Sequence, residues 1–384
     1  MLLKILWRNA LRHRLRTSLT VAGMVVAILS FGLLRTVIDA WYAGVAASAA
    51  NRLVTRNAIS LIFPLPLSYA AQIRAVDGVR LVALGNWFGA YYQDPKNFFA
   101  NFAVSADSYL AMYPELVFPE ADKAAFMRDR KGAAVGAKLA TRFGWKLGQT
   151  IVLTGTIFPG NWEFTLRAIY KGRDRTVDET MFILHWDYLN ETMKEQSPHR
   201  ADQVGFFMIE VNDSTRAAGI AQAIDARFAN SRAETLTETE KAFQLGFVAM
   251  SEAIILAIRA VSFVVIAIIL AVVANTMAMS VRERRREYAV LKTLGFTGTQ
   301  IAGLIFGESL VITALGGALG IALTFPAAQA FKAAVGQFFP IFNVSRETIL
   351  LDAAVSLTVG LLAAAAPAYT AARVRVAQAL RKLG

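Results

Sequence analysis

The chain has 384 residues, of which 55% are hydrophobic and only 18% are charged. In soluble domains about a quarter of all residues are charged, so this composition argues against an ordinary soluble protein. The chain contains no cysteine, which excludes disulfides, thiolate catalysis and cysteine-based metal sites within it.

The formal net charge of +12 could indicate a nucleic-acid-binding protein, but its distribution argues otherwise. Three short segments, 1–16, 281–300 and 373–384, together hold fourteen Lys and Arg residues and two acids. The long segment 39–253 is close to neutral, with 22 basic and 23 acidic residues. Positive charge confined to short segments beside apolar blocks is typical of cytoplasmic loops. We therefore do not expect nucleic-acid binding.

Four apolar blocks predict transmembrane helices. Their predicted bounds are 17–38, 254–281, 301–331 and 349–372. The first block could also belong to a signal peptide, because Ala47-Ser48-Ala49 has the small residues of a cleavage site. That site lies more than ten residues beyond the block, with Arg35, Asp39 and Trp41 between them. An uncleaved span is the favoured interpretation.

The basic segments predict that both termini and the 282–300 loop are cytoplasmic. Segments 39–253 and 332–348 then lie on the outer side, and 373–384 forms a cytoplasmic tail. Residues 1–16 repeat cationic and apolar side chains at four-residue spacing. This pattern predicts an interfacial helix on the inner leaflet, although a simple charged anchor would look similar.

The outer segment shows mixed α/β patterning with predicted helical ends at 39–56 and 237–251. A short apolar run occupies 59–63, and apolar residues alternate with polar ones over 162–170, as in a half-buried strand. The predicted fold is therefore four transmembrane α-helices with a large α/β extracytoplasmic domain inserted between helices 1 and 2.

No GxxxxGK[ST] motif occurs, so this chain does not bind nucleotide phosphates through a P-loop. The 282–300 loop instead predicts a short amphipathic helix. Tyr288, Leu291 and Leu294 share one helical face, Lys292 lies near the end, and Gly295 supplies a stop. Such a helix would dock in a groove of a cytoplasmic partner. The alternative is a basic loop that only fixes topology.

The run SVRERRREYAVLKTLG over 280–295 resembles the conserved loop of the FtsX/MacB-type ABC transporter permeases. Segments 6–20, 304–320 and 367–381 resemble the N-terminal helix, third span and C-terminal tail of that family. The family is also described as the type VII, mechanotransmission class of ABC transporters. These motifs cover both ends of the chain and three of four spans, in the order of the family.

The resemblance implies a MacB-type periplasmic domain and a non-catalytic permease in the bacterial inner membrane. The implied partners are two ABC ATPase subunits that bind ATP and Mg, a second permease copy in a homodimer or heterodimer, and, as an optional partner, a periplasmic adaptor. The implied work is export or extraction of a lipophilic, lipoprotein, peptide or drug-like substrate. The alternative is an FtsX-like regulator that activates a periplasmic cell-wall hydrolase without transport. An enzyme is disfavoured, since no triad or metal-ligand spacing occurs.

By position, the resemblance places the ATPase-coupling residues at Glu283, Arg284, Arg286, Glu287, Leu291, Lys292, Leu294 and Gly295. Three further ionisable residues lie in or near the spans: Glu308, Arg259 and Arg35. For Glu308, a structural pair with a cytoplasmic-side arginine or a backbone amide is favoured over a proton relay. We expect Arg35 and Arg259 to reach the interface, and Arg35 to pair with Asp39 at i+4.

Two further features have alternative interpretations. The GxxxG pairs Gly303/Gly307 and Gly316/Gly320 predict close helix packing. The aromatic residues of the outer segment could form the domain core, which we favour, or a surface for lipid or apolar substrate. They include Trp87, Phe88, Tyr91, Tyr92, Phe98 and Phe99.

Overall fold

The computed structural model describes residues 14–174, 176–335, 339 and 341–374. The predicted interfacial helix lies outside these residues except for 14–16, and the predicted tail lies outside them from residue 375 onward. The described chain divides into two compact units. One, the helical unit, comprises residues up to Ala40 together with 251–336 and 342–374; the other, the α/β unit, comprises 41–250 and the few residues near 339.

The described helices occur in this order: α1 (Arg14–Trp41), α2 (Ala43–Ala47), α3 (Tyr69–Arg74), α4 (Ala106–Met112), α5 (Glu120–Arg128), α6 (Ala137–Phe143), α7 (Trp186–Gln196), α8 (Ala217–Phe228), α9 (Glu240–Met250), α10 (Glu252–Glu283), α11 (Arg285–Thr293), α12 (Gly298–Val335) and α13 (Arg346–Ala372). Among them, α1, α10, α12 and α13 are long and apolar enough to cross a membrane. These four helices contain the four predicted spans. Each helix is longer than its predicted span by at least two residues at one or both ends.

The strands are β1 (Arg52–Asn57), β2 (Leu65–Pro66), β3 (Val79–Trp87), β4 (Ala90–Tyr91), β5 (Asn101–Val104), β6 (Leu116–Val117), β7 (Gly132–Gly136), β8 (Thr150–Gly155), β9 (Gly160–Gly172), β10 (Phe182–His185), β11 (Gln203–Val204), β12 (Phe206–Val211) and β13 (Thr235–Thr239). Ten of them follow the order β13-β1-β12-β3-β5-β10-β7-β9-β8-β4 in one sheet, and β6 pairs with β9. The pairs β5–β10 and β7–β9 are parallel, whereas the other neighbours are antiparallel.

The alternation predicted over 162–170 is confirmed in β9. Five alternating side chains of this strand are almost fully buried: Trp162, Phe164, Leu166, Ala168 and Tyr170. They join two apolar clusters that account for the core of the α/β unit. Burial of side chains at period two is what fixes the register of a strand in a sheet.

Two sequence predictions for this unit are wrong in their placement. The helix predicted over 39–56 ends at Ala47, and its last residues form β1. The β-branched and polar residues of this strand pair with β12 and β13 on both edges, which outweighs the local alanine-rich helix propensity. The helix predicted over 237–251 likewise starts late, because 237–239 belong to β13 and the helix begins at Glu240. The apolar run 59–63 forms an exposed turn, with Ile59 82% and Ile62 87% exposed.

A buried ionic cluster joins the start of α9 to the sheet. Arg52 on β1 donates to Glu240 Oε2 at 2.7 Å and to Glu115 Oε1 at 2.7 Å. Tyr113 donates its hydroxyl to the other oxygen of Glu240 at 3.1 Å, and its ring lies 4.2 Å from the Arg52 guanidinium carbon. Burial tends to lower the pKa of Arg52, but Glu240, Tyr113 and Glu115 more than offset it and raise that pKa. The cluster therefore holds the first turn of α9 against the sheet.

In the helical unit, α1 packs closely on α12 through glycines. A Cβ built at Gly316 would lie 2.5 Å from Met24 Cβ, and one at Gly320 would lie 2.8 Å from Ile28 Cβ. The prediction of close packing is confirmed for this pair. For Gly303 it stays a prediction, since a Cβ there meets no described atom of this chain within 4 Å.

Small polar residues bring α12 and α13 together. Ser309 donates its hydroxyl to the carbonyl of Gly360 at 2.7 Å, and Ser356 donates to the carbonyl of Thr313 at 2.7 Å. A side chain at Gly317 would collide with Ser356. Hydroxyl-to-carbonyl bonds between closely approaching helices are a common way to hold spans together in an apolar environment.

Candidate functional site

The candidate site is the segment that joins α10 to α12 and contains α11. Between α10 and α11, Arg284 adopts φ −94° and ψ 11°, which turns the chain. After α11, Gly295 adopts φ +95°, a conformation that glycine reaches without strain. The amide of Phe296 donates to the carbonyl of Leu291 at 3.0 Å, and that of Gly295 donates to Lys292 at 3.1 Å. These two bonds close the C-terminus of α11 in a Schellman-type arrangement, as the predicted glycine stop requires.

The inner face of α11 is attached to the span helices, and Tyr288 and Ala289 lie on it with 1% and 0% exposure. The prediction that Tyr288 belongs to a docking face is wrong, because its ring is buried among residues of the helical bundle. Burial raises the pKa of Tyr288 to about 12, so its hydroxyl stays neutral. Leu291 is half-buried and packs on the same cluster.

Arg284 is the centre of an ionic cluster on this inner face. Its Nη1 donates to Glu308 Oε2 at 2.8 Å, and its Nε donates to Glu287 Oε2 at 3.0 Å. Ser280 donates its hydroxyl to the other oxygen of Glu308 at 3.2 Å. Burial tends to lower the pKa of Arg284, but Tyr288, Glu308 and Glu287 more than offset it and raise that pKa. The arginine partner predicted for Glu308 is therefore present, and Arg284 itself faces the bundle.

Two other predicted coupling residues also bind within the chain. Glu283 accepts two hydrogen bonds from Arg16 of α1, at 2.8 and 2.6 Å. Lys292 donates to the carbonyl oxygens of Ala372 at 2.7 Å and Val374 at 3.0 Å, where α13 ends. A lysine at a helix C-terminus satisfies free carbonyls and complements the helix dipole. The segment thus contacts α1, α12 and α13 through charged groups.

Exposed apolar side chains occur on α11 and directly after it, and we use the name outer face for Val290 of α11 together with Leu294 and Phe296, which follow the helix. They are 47%, 71% and 41% exposed. The exposed basic residues Arg282, Arg285 and Arg286 lie nearby in sequence. Sequence reasoning found Leu294 and Arg286 but missed Val290 and Phe296. The i+4 spacing of Val290 and Leu294 was the signal available, although it could not show which of two helical faces is covered by the spans.

The remaining predicted polar residues lie elsewhere in the helical unit. Arg35 Nε lies 3.3 Å from Asp39 Oδ1, which confirms the predicted i+4 pair. Asp39 also accepts hydroxyl bonds from Ser345 at 2.8 Å and Thr348 at 3.0 Å. Arg259 is exposed on α10. The segment between α10 and α12 brings Glu308 and the coupling residues together, whereas Arg35 and Arg259 lie in other parts of α1 and α10.

Sequence reasoning missed Asp352, which is 1% exposed within α13. Its position as the only carboxylate in the predicted span 349–372 was a signal that could have found it.

The aromatic residues of the α/β unit divide between core and surface. Phe88 and Phe99 are 0% and 5% exposed, and Tyr92 packs against the same core, as the favoured interpretation predicted. Trp87 and Phe98 are instead 41% and 43% exposed, with ring centroids 6.2 Å apart.

Two family models match the chain in complementary regions. The MacB-like periplasmic core domain matches residues 17–227, more than half of the chain, and the FtsX-like permease C-terminal model matches residues 259–376. The chain therefore belongs to the FtsX/MacB-type family of ABC transporter permeases. It is a multi-pass membrane protein with four membrane helices and a MacB-type domain between the first and second of them, as the sequence predicted.

Curated relatives agree with this assignment. An ABC transporter permease protein of Mycobacterium tuberculosis is 23% identical over 271 residues, which are 68% of this chain and 30% of that protein. The macrolide export ATP-binding/permease protein MacB of Shewanella oneidensis is 34% identical over 110 residues, or 29% of this chain and 16% of that protein. The matched part of the chain thus spans less than a third of the length of these relatives.

A solved structure also matches part of the chain. It is the extracellular domain of the noncanonic ABC-type transporter YknZ from Gram-positive bacteria, at 9% identity and a TM-score of 0.35. The match covers 49% of this chain and 100% of that structure.

Proposed function

We propose that this chain converts ATP hydrolysis by a separate ATPase into movement of its extracytoplasmic domain. The observation that supports this proposal is that α11 is exposed on one side and packed against the span helices on the other. Its outer face exposes Val290, Leu294 and Phe296, whereas its inner face is bound to the spans. An apolar helix face with exposed arginines beside it suits a groove with an acidic rim on a partner protein.

The inner contacts of α11 provide a route for force. The Arg284–Glu308 pair connects the start of α11 to α12, and Lys292 connects its end to the last residues of α13. A displacement of α11 would therefore move two spans together, because both of its ends are bonded to them. Movement of packed helices as units is a common form of conformational switching.

The orientation proposed with this function places α11 on the cytoplasmic side of the bacterial inner membrane. The support is the concentration of Lys and Arg in 281–300 and the exposure of Arg282, Arg285 and Arg286. Both termini would then be cytoplasmic, and the MacB-type domain would be on the outer side.

The proposed partners are two ATPase subunits, which bind ATP and Mg, and a second permease that is either identical or homologous. In the most apolar 18 residues of α10, only 17% of the residues are buried, whereas the share is 33% in each of the other three span helices. Its exposed apolar surface is therefore available to lipid or to the second permease. The substrate would be lipophilic, a lipoprotein, a peptide or drug-like, handed on by an adaptor where one exists.

The docking assignment can be tested by site-specific crosslinking in native membranes. A photoreactive side chain at position 294 should crosslink a protein that is also labelled by an ATP photoaffinity probe. The matched control is position 147, because Leu147 is 50% exposed but lies in the α/β unit. Leu294 is a sharper probe than Leu291, which is half-buried against the spans.

The corresponding substitutions give the functional readout. Leu294→Asp should abolish co-purification of the ATPase and its stimulated hydrolysis, whereas Leu147→Asp should leave both unchanged. Crosslinking of the ATPase from position 147 and not from 294, or undiminished co-purification with Leu294→Asp, would show that α11 is not the docking element.

A further inference from the structure

Asp352 is a buried carboxyl group with no described partner within the membrane helix bundle. It lies six residues after the start of α13, roughly 9 Å along the helix axis. The residue is 1% exposed, and neither carboxyl oxygen has a hydrogen-bond partner within the described part of the chain. Ionisable groups inside spans are costly and mark functional positions.

Gly32 of α1 and Thr324 of α12 lie close to Asp352. A Cβ built at Gly32 of α1 would lie 2.7 Å from Asp352 Oδ2 and 3.1 Å from Thr324 Oγ1 of α12. The hydroxyl of Thr324 donates to the carbonyl of Gly320 at 2.9 Å, and that of Thr36 donates to Gly32 at 2.7 Å. Both hydroxyl protons are therefore used by the backbone of their own helices, and neither neutralises the carboxyl group.

Arg35 and Glu308, on two of the helices around Asp352, are each paired with another charged residue. On α1, Arg35 lies beside Asp39, which accepts bonds from Ser345 and Thr348. On α12, Glu308 is paired with Arg284, and Lys332 lies eight residues beyond Thr324.

Four further charged residues of the helical unit are exposed. On α13, Arg346 and Glu347 are exposed in the first turn. On α10, Glu252 and Arg259 are exposed. Within the described residues, neither carboxyl oxygen of Asp352 accepts a hydrogen bond from any of these groups.

We propose that Asp352 is a proton-binding site, whose carboxyl group is held neutral while α1, α12 and α13 are packed around it. An ionised carboxylate buried without a donor or counter-ion is strongly unfavourable, and such a group takes up a proton instead. A metal cation needs several oxygen ligands. A single carboxyl group cannot supply them, because the neighbouring hydroxyl groups already donate to backbone carbonyls. This assignment is independent of the docking of α11.

The close approach at Gly32 makes proton occupancy dependent on helix packing. Asp352 would release its proton when α1 moves away from α13 and water reaches the carboxyl group. Conversely, the proton stabilises the packed arrangement of these three helices. The site therefore links proton uptake and release to separation of the spans.

The test uses the full chain in lipid nanodiscs, as wild type, Asp352→Asn and the matched control Asp39→Asn. Infrared spectra at neutral pH should contain a protonated-carboxyl band that Asp352→Asn removes and Asp39→Asn retains. The thermal unfolding temperature should also be measured from about pH 5 to about pH 9. An exposed aspartate in the unfolded chain is ionised above about pH 4, so the stability that the bound proton contributes is lost as pH rises.

The unfolding temperature of the wild type should therefore fall with rising pH relative to Asp352→Asn. The proposal would be overturned if the unfolding temperatures of the wild type and Asp352→Asn depended equally on pH, or if the protonated-carboxyl band survived Asp352→Asn.

A second experiment measures the unfolding temperature with and without sodium chloride. A sodium-dependent rise in unfolding temperature of the wild type but not Asp352→Asn would identify a cation site and would overturn the proton assignment. Should Asp352→Asn fail to fold, Asp352→Ser takes its place in both measurements, with the same supporting and contradicting results.

Discussion

Arg284 at the start of α11 and Glu308 inside α12 form an ion pair at 2.8 Å, and their side chains are only 11% and 7% exposed. The pair lies between the exposed helix that we propose to bind an ATPase and a helix that crosses the membrane. It makes Arg284 a connecting group and not a surface contact. The same contact supplies the partner that a carboxylate in a span requires.

Glu308→Gln should destabilise the helical unit by about 2 to 4 kcal/mol, since it leaves the buried Arg284 charge paired only with the half-exposed Glu287. The measurement is thermal or denaturant-induced unfolding of the purified chain in detergent. The double variant Arg284→Gln/Glu308→Gln should recover part of the loss, because it removes the orphaned charge. Additive losses in the double variant would contradict a direct interaction between the two side chains.

Lys292→Met should weaken the connection between α11 and the end of α13 while leaving the outer face unchanged. The expected loss of stability is modest, about 1 kcal/mol, because the donated bonds lie near the protein surface. If the proposed coupling is correct, ATPase binding should persist but stimulated hydrolysis should fall. Lys292→Arg, which retains a cationic donor, is the control. Unaltered stimulation with Lys292→Met would exclude this contact from the route of force.

Gly316→Val should separate α1 from α12, because a side chain there collides with Met24. Overpacking of this kind costs about 1 to 3 kcal/mol. The matched control is Gly303→Val on the same helix, where a Cβ meets open space. The unfolding temperature should drop for the first variant and stay close to wild type for the second. Equal drops would indicate that the glycines act through helix propensity and not through packing.

His185 should make the α/β unit sensitive to acid. The side chain is 7% exposed, its Nε2 lies 2.9 Å from the carbonyl oxygen of Phe126, and burial lowers its pKa. A histidine with a lowered folded-state pKa contributes stability above its unfolded value of about 6.5, and this contribution is lost as pH falls. The unfolding temperature should therefore decrease less between about pH 6.5 and pH 5 in His185→Gln than in wild type. His199→Gln should keep the wild-type slope, and a similar flattening with it would argue against a special role of His185.

The four spans and the inserted domain could be predicted from the sequence because each depends on a local property. A block of about 20 apolar residues crosses a bilayer wherever it occurs, and alternation as in Trp162–Tyr170 fixes the buried side of a strand. The end of α11 at Gly295 could be predicted for the same reason, since it depends on the positive φ that this one glycine adopts. The i+4 pair of Arg35 and Asp39 follows from helical spacing alone.

Features that depend on neighbours distant in sequence were decided only by the tertiary structure. The segment 52–56 became a strand because β12 and β13 pair with it on both sides. An isolated amphipathic helix does not show which of its faces the protein will cover, so Tyr288 was placed outward by its spacing but inward by packing. Asp352 is informative only because Gly32 and Thr324, from two other helices, close around it. Apolar length and local sequence motifs therefore determined the number of membrane helices and the class of this protein, whereas contacts between helices determined which side chains are exposed, connect helices or lie buried without a described partner.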